Sequence, residues 1–271
     1  MENLQKKLDF ARPPVDEVVL SVLFQSLDNL LAPHLGQIWQ EFKEDGFVQI
    51  EEQPPANPIV EDFSGRIPEP QLQLLRAPDL ARIWFTPEDR SQILQVQRDR
   101  FTFNWCKTEP SQQYPGFSHI CDKFEGFYNR FCRIMRGIGI GQVTPLQYEL
   151  TYIDQLRQGD GWEKLNDIGK IYNLFVDFQN SDSFWSETES LMLRTSFTLP
   201  NLHGRLHLTI RNRVKMPEQS PTLQTDFTLR GFPKNTNYTM IDWFKSAREQ
   251  IREKFVSLFT ENIQTQIWGK K

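Results

Sequence analysis

Val18-Val19-Leu20-Ser21-Val22-Leu23-Phe24 and Leu146-Gln147-Tyr148-Glu149-Leu150-Thr151-Tyr152 decide how this chain is read. Each is an apolar, β-branched or aromatic run of strand type. Each opens the same order of patterns: strand, helix, several strands, then a long closing helix. The second pass begins near the middle of the 271 residues. The expected fold class is α+β, with two pseudo-repeated β-α-β(3–4)-α halves that form a curved antiparallel sheet and carry long helices on one face. The halves are placed at 1–141, with a Pro-rich loop at 53–79, and at 142–271.

Helices are expected where apolar residues recur every three to four positions. Leu31, Leu35, Ile38, Trp39 and Phe42 mark the first, with Asp28 or Asn29 as its cap. Ile120, Phe124, Phe127, Phe131 and Ile134 mark one over 117–138, ended by Gly137, Gly139 and Gly141. Leu165, Ile168, Ile171, Tyr172 and Phe175 predict a helix over 162–175. Ile241, Phe244, Ala247, Ile251 and Phe255 predict the closing helix over 240–259, capped by Thr239 with Asp242 as carboxylate partner. Strands are expected over 15–27, 47–52, 80–86, 146–156, 191–199, 205–214 and 223–231, and one long strand over 92–107. In that long strand Leu94 and Val96 are apolar at even positions, but Phe101 and Phe103 at odd ones. Side chains alternate with period two, so either a β-bulge near Arg98-Asp99-Arg100 or cover on both faces is required.

Six of the 17 prolines (Pro54, Pro55, Pro58, Pro68, Pro70, Pro78) fall in the 53–79 loop, which is either a surface crossover or an element that orders on binding. The second-half strands each have one apolar and one polar side, as in an antiparallel sheet covered on one face. The polar positions include Arg194, then Arg205, His207, Arg211 and Arg213, then Arg230, with Arg98 and Arg100 as first-half additions. Arginine's planar fork suits carboxylates and phosphates. Two readings of this face follow: a recognition surface for an anionic or peptide-like ligand, or ordinary cross-strand pairing of Arg with Asp and Glu.

Bulk composition narrows the partners. A net charge of −4 argues against a general polyanion binder while leaving room for a local basic face. No run approaches the ~20 apolar residues that span a bilayer, and residues 1–7 lack the apolar segment of a secretion signal. Three cysteines (Cys106, Cys121, Cys132) are an odd number outside any loop framework, so a reduced, cytoplasmic protein is expected. His203 and His207 stand four apart on a strand, about 13 Å, too far to share a zinc ion. The Gly137–Gly141 run follows a helix rather than a strand, so it is no phosphate loop. No catalytic residue, metal ligand or cofactor is assigned.

Pro13-Pro14-Val15-Asp16-Glu17 with His34-Leu35-Gly36-Gln37-Ile38-Trp39, the string Gln95-Val96-Gln97-Arg98-Asp99-Arg100-Phe101, Glu149-Leu150-Thr151-Tyr152 and the terminal Trp268-Gly269 together resemble an uncharacterised, sporadically distributed bacterial and archaeal family of about this length. That resemblance implies mobile gene neighbourhoods such as toxin–antitoxin or phage-defence modules, and no activity. The repeated element order also resembles the duplicated saddle of TATA-box-binding protein and helix-grip folds, an analogy of fold only. The expected function is a non-enzymatic binding or accessory protein, with a protein partner encoded nearby or an anionic ligand held on the polar face. The alternatives are a nucleic-acid binder using that face, or a helix-grip-like small-molecule binder or enzyme. Oligomeric state is left open.

Overall fold

A computed structural model of the chain describes residues 10–63, 80–175, 188–215, 219–232 and 238–270. In chain order the elements are β1 (Val15–Phe24), α1 (Ala32–Lys43), β2 (Gln49–Gln53), β3 (Arg82–Thr86), β4 (Gln92–Gln97), β5 (Arg100–Cys106), α2 (Phe117–Gly137), β6 (Pro145–Arg157), α3 (Ile168–Ile171), β7 (Met192–Leu199), β8 (Gly204–Lys215), β9 (Ser220–Gly231) and α4 (Met240–Leu258). The nine strands form a single sheet in the order β2-β3-β4-β5-β1-β6-β9-β8-β7. Every pairing in it is antiparallel. The fold is α+β.

Register assigns the two sides of the sheet. Val22 stands opposite Phe101 on β5 and Tyr148 on β6. Leu20 stands opposite Phe103 and Leu150. Phe101 stacks on Phe131 of α2 at 4.9 Å, and Tyr148 meets Phe244 of α4 at 5.8 Å. These rows therefore face the helices, and Phe124 of α2 touches Phe244 of α4 edge-on at 5.2 Å. Offset and T-shaped aromatic contacts of this kind add about 0.5–1.5 kcal/mol each beyond area burial. α1 joins the same layer through Phe42, 6.0 Å from Phe127. The alternate rows, Val19-Ser21 on β1 and Glu149-Thr151 on β6, face the other way.

Two expected elements are corrected. The long strand 92–107 is a hairpin, β4 and β5, turning at Arg98-Asp99 with Gln97 opposite Arg100. Chain reversal explains the parity change: Leu94 pairs with Phe103 and Val96 with Phe101, so even positions before the turn share a face with odd ones after it. No bulge is involved. The helix expected over 162–175 is a 3₁₀ turn at Leu165–Asp167 followed by the single turn of α3. Asp167 Oδ2 accepts from the backbone of Glu163 and Lys164. Tyr172 then bridges to Phe259, and Thr260 N donates to Ile171 O at 2.9 Å, so tertiary pairing takes the chain out of the helix.

Caps follow local chemistry. Asp242 N donates to Thr239 Oγ1 (3.1 Å) and Thr239 N to Asp242 Oδ2 (3.2 Å), the reciprocal box expected at the start of α4. α1 begins later than the Asp28 or Asn29 cap implied. There, Leu31 N donates to His34 Nδ1 at 3.0 Å, which makes His34 a helix-end residue. Where the Pro200–Leu202 turn presses on the end of β9, a Cβ at Gly204 would lie 2.7 Å from Arg230 O, so only glycine fits.

Candidate functional site

The side of the sheet away from α2 and α4 collects the polar residues of β7, β8, β9 and β6 into cross-strand rows. One row reads Thr198, Arg205, Arg230, Glu149. The next reads Ser196, His207, Thr228, Thr151, and the one after it Arg194, Thr209, Asp226, Ile153. Met192, Arg211, Gln224 and Gln155 follow, and Arg213 lies beyond, opposite Thr222. Six of the eight anticipated residues, Arg194, Arg205, His207, Arg211, Arg213 and Arg230, thus lie on one surface.

The other two stand apart from these six, although Arg100 is on the same side of the sheet. Arg98 occupies the β4–β5 turn, where its Nε donates to Leu30 O at 3.0 Å and ties down the chain entering α1. Arg100 opens β5 opposite Leu23 and Gln97. Three strands separate β5 from β8, so Arg100 is roughly 19 Å from the arginines of β8 at ordinary strand spacing.

The six that converge fall into two groups with different surroundings. At one end, Glu61 reaches in from the Pro-rich segment. Its side chain is only 3% exposed. It accepts from Arg205 Nη1 at 2.5 Å and His207 Nε2 at 2.6 Å, with Arg230 Nη1 at 3.7 Å. Burial alone would raise the Glu61 carboxyl, but the His207 hydrogen bond and the charges of His207, Arg205 and Arg230 outweigh it and hold the group below the usual carboxylate range. Arg230 Nε also bonds Glu149, and Arg205 covers the Phe63 ring at 4.9 Å.

The segment that brings Glu61 here is held through its backbone. Gln97 grips Ala56 with both ends of its amide: Ala56 N donates to Oε1 and Nε2 donates to Ala56 O, each at 2.9 Å. Gln147 does the same to the next stretch, accepting from Glu61 N at 2.8 Å and donating to Ile59 O at 2.7 Å. Pro54, Pro55 and Pro58 favour the extended backbone that such contacts require. Residues 54–63 therefore form a strap on the polar face; the 64–79 part of the expected loop lies outside the described residues.

At the other end three guanidinium groups surround one acid. Arg211 Nη2 donates to Asp226 Oδ2 at 3.2 Å, and Arg213 Nη1 donates to Gln224 Oε1 at 2.6 Å. Gln224 Nε2 passes the contact on to Asp226 Oδ1 at 2.5 Å. Burial raises the Asp226 carboxyl despite the Gln224 bond and the charges of Arg211, Arg213 and Arg194. Arg194 and Arg213 are exposed, Arg211 is half-buried, and Arg211 Nε is buried without an acceptor. This end has more positive charge and more N–H donors than its own acid uses.

The nucleophile candidates do not assemble. His203 sits at φ +44° in the turn before β8, while His207 points onto the polar face with Glu61. Burial pushes all three thiols up, Cys121 to about 11, so none is poised as a thiolate. Among the described residues no group of three or more His, Cys, Asp or Glu is placed to hold a metal ion, and no helix is long and apolar enough to cross a membrane.

Sequence reasoning missed Glu61, Gln97, Gln147 and Glu149. The available signal was parity: Gln95, Gln97, Gln147 and Glu149 alternate with core residues, which marks them as polar-face positions. Glu61 has no such signal, because nothing in a proline-rich stretch fixes where it docks. No protein-family model matches the chain, and no curated protein sequence does.

Proposed function

We propose that this chain is a non-enzymatic binding protein that recognises an anionic group of a protein partner or ligand through Arg194, Arg211 and Arg213. The observation that carries the reading is the charge imbalance at that end of the face: among the described residues, three guanidinium groups act on the one carboxyl of Asp226, and Arg211 Nε has no acceptor. A carboxylate or phosphate placed there accepts forked, charge-assisted hydrogen bonds without displacing a core residue. Arg205, His207 and Arg230 belong to the same surface but are engaged by Glu61, so their role is to seat the strap. Arg98 and Arg100 are not part of the binding group.

The order of strands outward from the central β1–β6 pair, β5-β4-β3 on one side and β9-β8-β7 on the other, supports reading 1–141 and 142–271 as pseudo-repeated halves with their long helices on a common face. The setting we propose is cytoplasmic, beside a partner encoded nearby in a toxin–antitoxin or phage-defence module, as the family resemblance implies.

The test uses Arg211→Glu/Arg213→Glu. A fluorescein-labelled Asp/Glu-rich peptide and a labelled single-stranded DNA are titrated by anisotropy against both proteins, and the product of the adjacent gene by pull-down. The reading requires binding to the acidic peptide or the neighbour that the double variant loses. Binding unchanged by the double variant sinks it. If DNA binds instead, and weakens steeply between about 50 and 200 mM salt, the nucleic-acid alternative replaces it.

A further inference from the structure

The helix side of the sheet holds a cleft of about 1550 Å³ that the polar face does not use. It opens between the start of β1, the end of β6, the loop before α2 and the inner side of α4, and Asp154 lines it. The β6 register puts Asp154 opposite Val15 and Thr225, on the side facing the helices. Asp154 is 1% exposed, and among the described residues neither carboxylate oxygen has a hydrogen-bond partner. The hydroxyl of Thr225, its cross-strand neighbour, pairs with Tyr172 OH at 2.8 Å. Burial lifts the Asp154 carboxyl well above its ordinary range, and the charges acting on it, from Asp226 and Asp16, are both negative and push the same way. A buried carboxyl left unpartnered forfeits the hydrogen bonds it makes to water, even when neutral. Native structures keep few such groups, and those they keep mark a ligand, an ion, a water or a functional site.

The remaining walls show what fits. Beside Asp154, the phenols of Tyr114 and Tyr152 lie 3.1 Å apart. Phe255 lines the cleft with its ring 5.2 Å from Trp268. Apart from Asp154, the basic lining residues Arg12, Lys107, Arg157, Lys245, Arg248 and Arg252 outnumber the acidic Asp16, Asp160 and Glu249, and Glu249 is already shared by Arg248 (2.5 Å) and Arg252 (2.8 Å).

We propose that this cleft binds a small aromatic zwitterion of the amino-acid type, with its ammonium group on Asp154, its ring against Tyr114, Tyr152 and Phe255, and its carboxylate toward Arg248 and Arg252. An ammonium group arriving beside the neutral carboxyl forms a carboxylate–ammonium pair, and the Asp154 proton goes to solvent. Binding therefore releases protons, at most one per molecule bound.

The test is calorimetry of the full chain with tryptophan, tryptamine (no carboxylate) and indole-3-propionate (no amine), near neutral pH in two buffers of different ionisation enthalpy. Tryptophan is expected to bind, tryptamine more weakly, and indole-3-propionate not at all, with a buffer dependence that reports proton release on binding. Asp154→Asn keeps the fold, loses the proton release and weakens tryptamine at least about tenfold. Equal binding of indole-3-propionate and tryptamine, an unaltered Asp154→Asn, or no heat from any of the three overturns the assignment.

Discussion

Glu61 lies 2.5 Å from Arg205, a residue 144 positions further along the chain, and the same carboxylate takes His207. Removing the charge leaves three basic side chains converging on a neutral amide. Glu61 is nearly fully buried while its partners are 17–32% exposed, so solvent screens part of the loss. Glu61→Gln is expected to lower stability by about 2–3 kcal/mol, below the range for a fully enclosed pair. Urea unfolding measures it, and a loss indistinguishable from zero would mean that the strap contributes nothing to the folded state.

Two of the buried carboxyls, Glu61 and Asp154, respond to pH in opposite directions. Glu61 is held below its ordinary 4.5, so its contribution is fully present above that value and is lost as pH falls through the lower folded pKa. Asp154 is held well above its ordinary 3.8, so the folded chain keeps a proton that the unfolded chain releases. Its effect on stability is favourable only below about the unfolded value and declines as pH rises from there toward the folded pKa. Asp154→Asn, neutral in both states, should therefore stabilise the protein, by an increment that grows as pH rises from about 4 toward the folded pKa. A difference in melting temperature that stays flat across that range contradicts a neutral Asp154.

Gln97 and Gln147 hold the strap by its backbone, so they control its opening without touching the core. Truncating Gln147 to Ala removes the acceptor for Glu61 N. Hydrogen exchange at Glu61 should accelerate by about one order of magnitude, the cost of a net 1–1.5 kcal/mol hydrogen bond. Exchange in β8 should stay unchanged. Equal acceleration in β8 and at Glu61 would show that the strap and the sheet open as one unit.

Phe101 is fully buried and stacks on Phe131 at the centre of the helix layer. Phe101→Ala is expected to cost about 3–5 kcal/mol, from lost transfer energy plus the cavity left behind. Thr239→Ala removes only one half of a capping box and should cost about 1 kcal/mol. If chemical denaturation ranks the two the other way, α4 depends on its cap more than the sheet depends on its aromatic rows.

Parity made much of the polar face legible. Arg205, His207, Arg211 and Arg213 alternate with Leu206, Leu208 and Ile210, and a strand sends alternate side chains to opposite sides whatever its neighbours are. The same reasoning misread 92–107, because a two-residue turn inverts parity as a bulge does. It also overextended the helix at 162–175, where the apolar spacing is helical but Tyr172 is claimed by a bridge to Phe259.

The amino-acid order by itself determined the α+β class and which side chains of β8 and β9 share a face. Those properties depend on residues two to four apart, whose geometry the backbone sets. Only the tertiary structure decided which arginines are already engaged and which have donors to spare, and that a lone carboxyl is shut away behind α4. Charge pairing and desolvation depend on what comes close in space, and Glu61 and Arg205, or Asp154 and the side chains around its cleft, become neighbours only after the whole sheet has closed over its core.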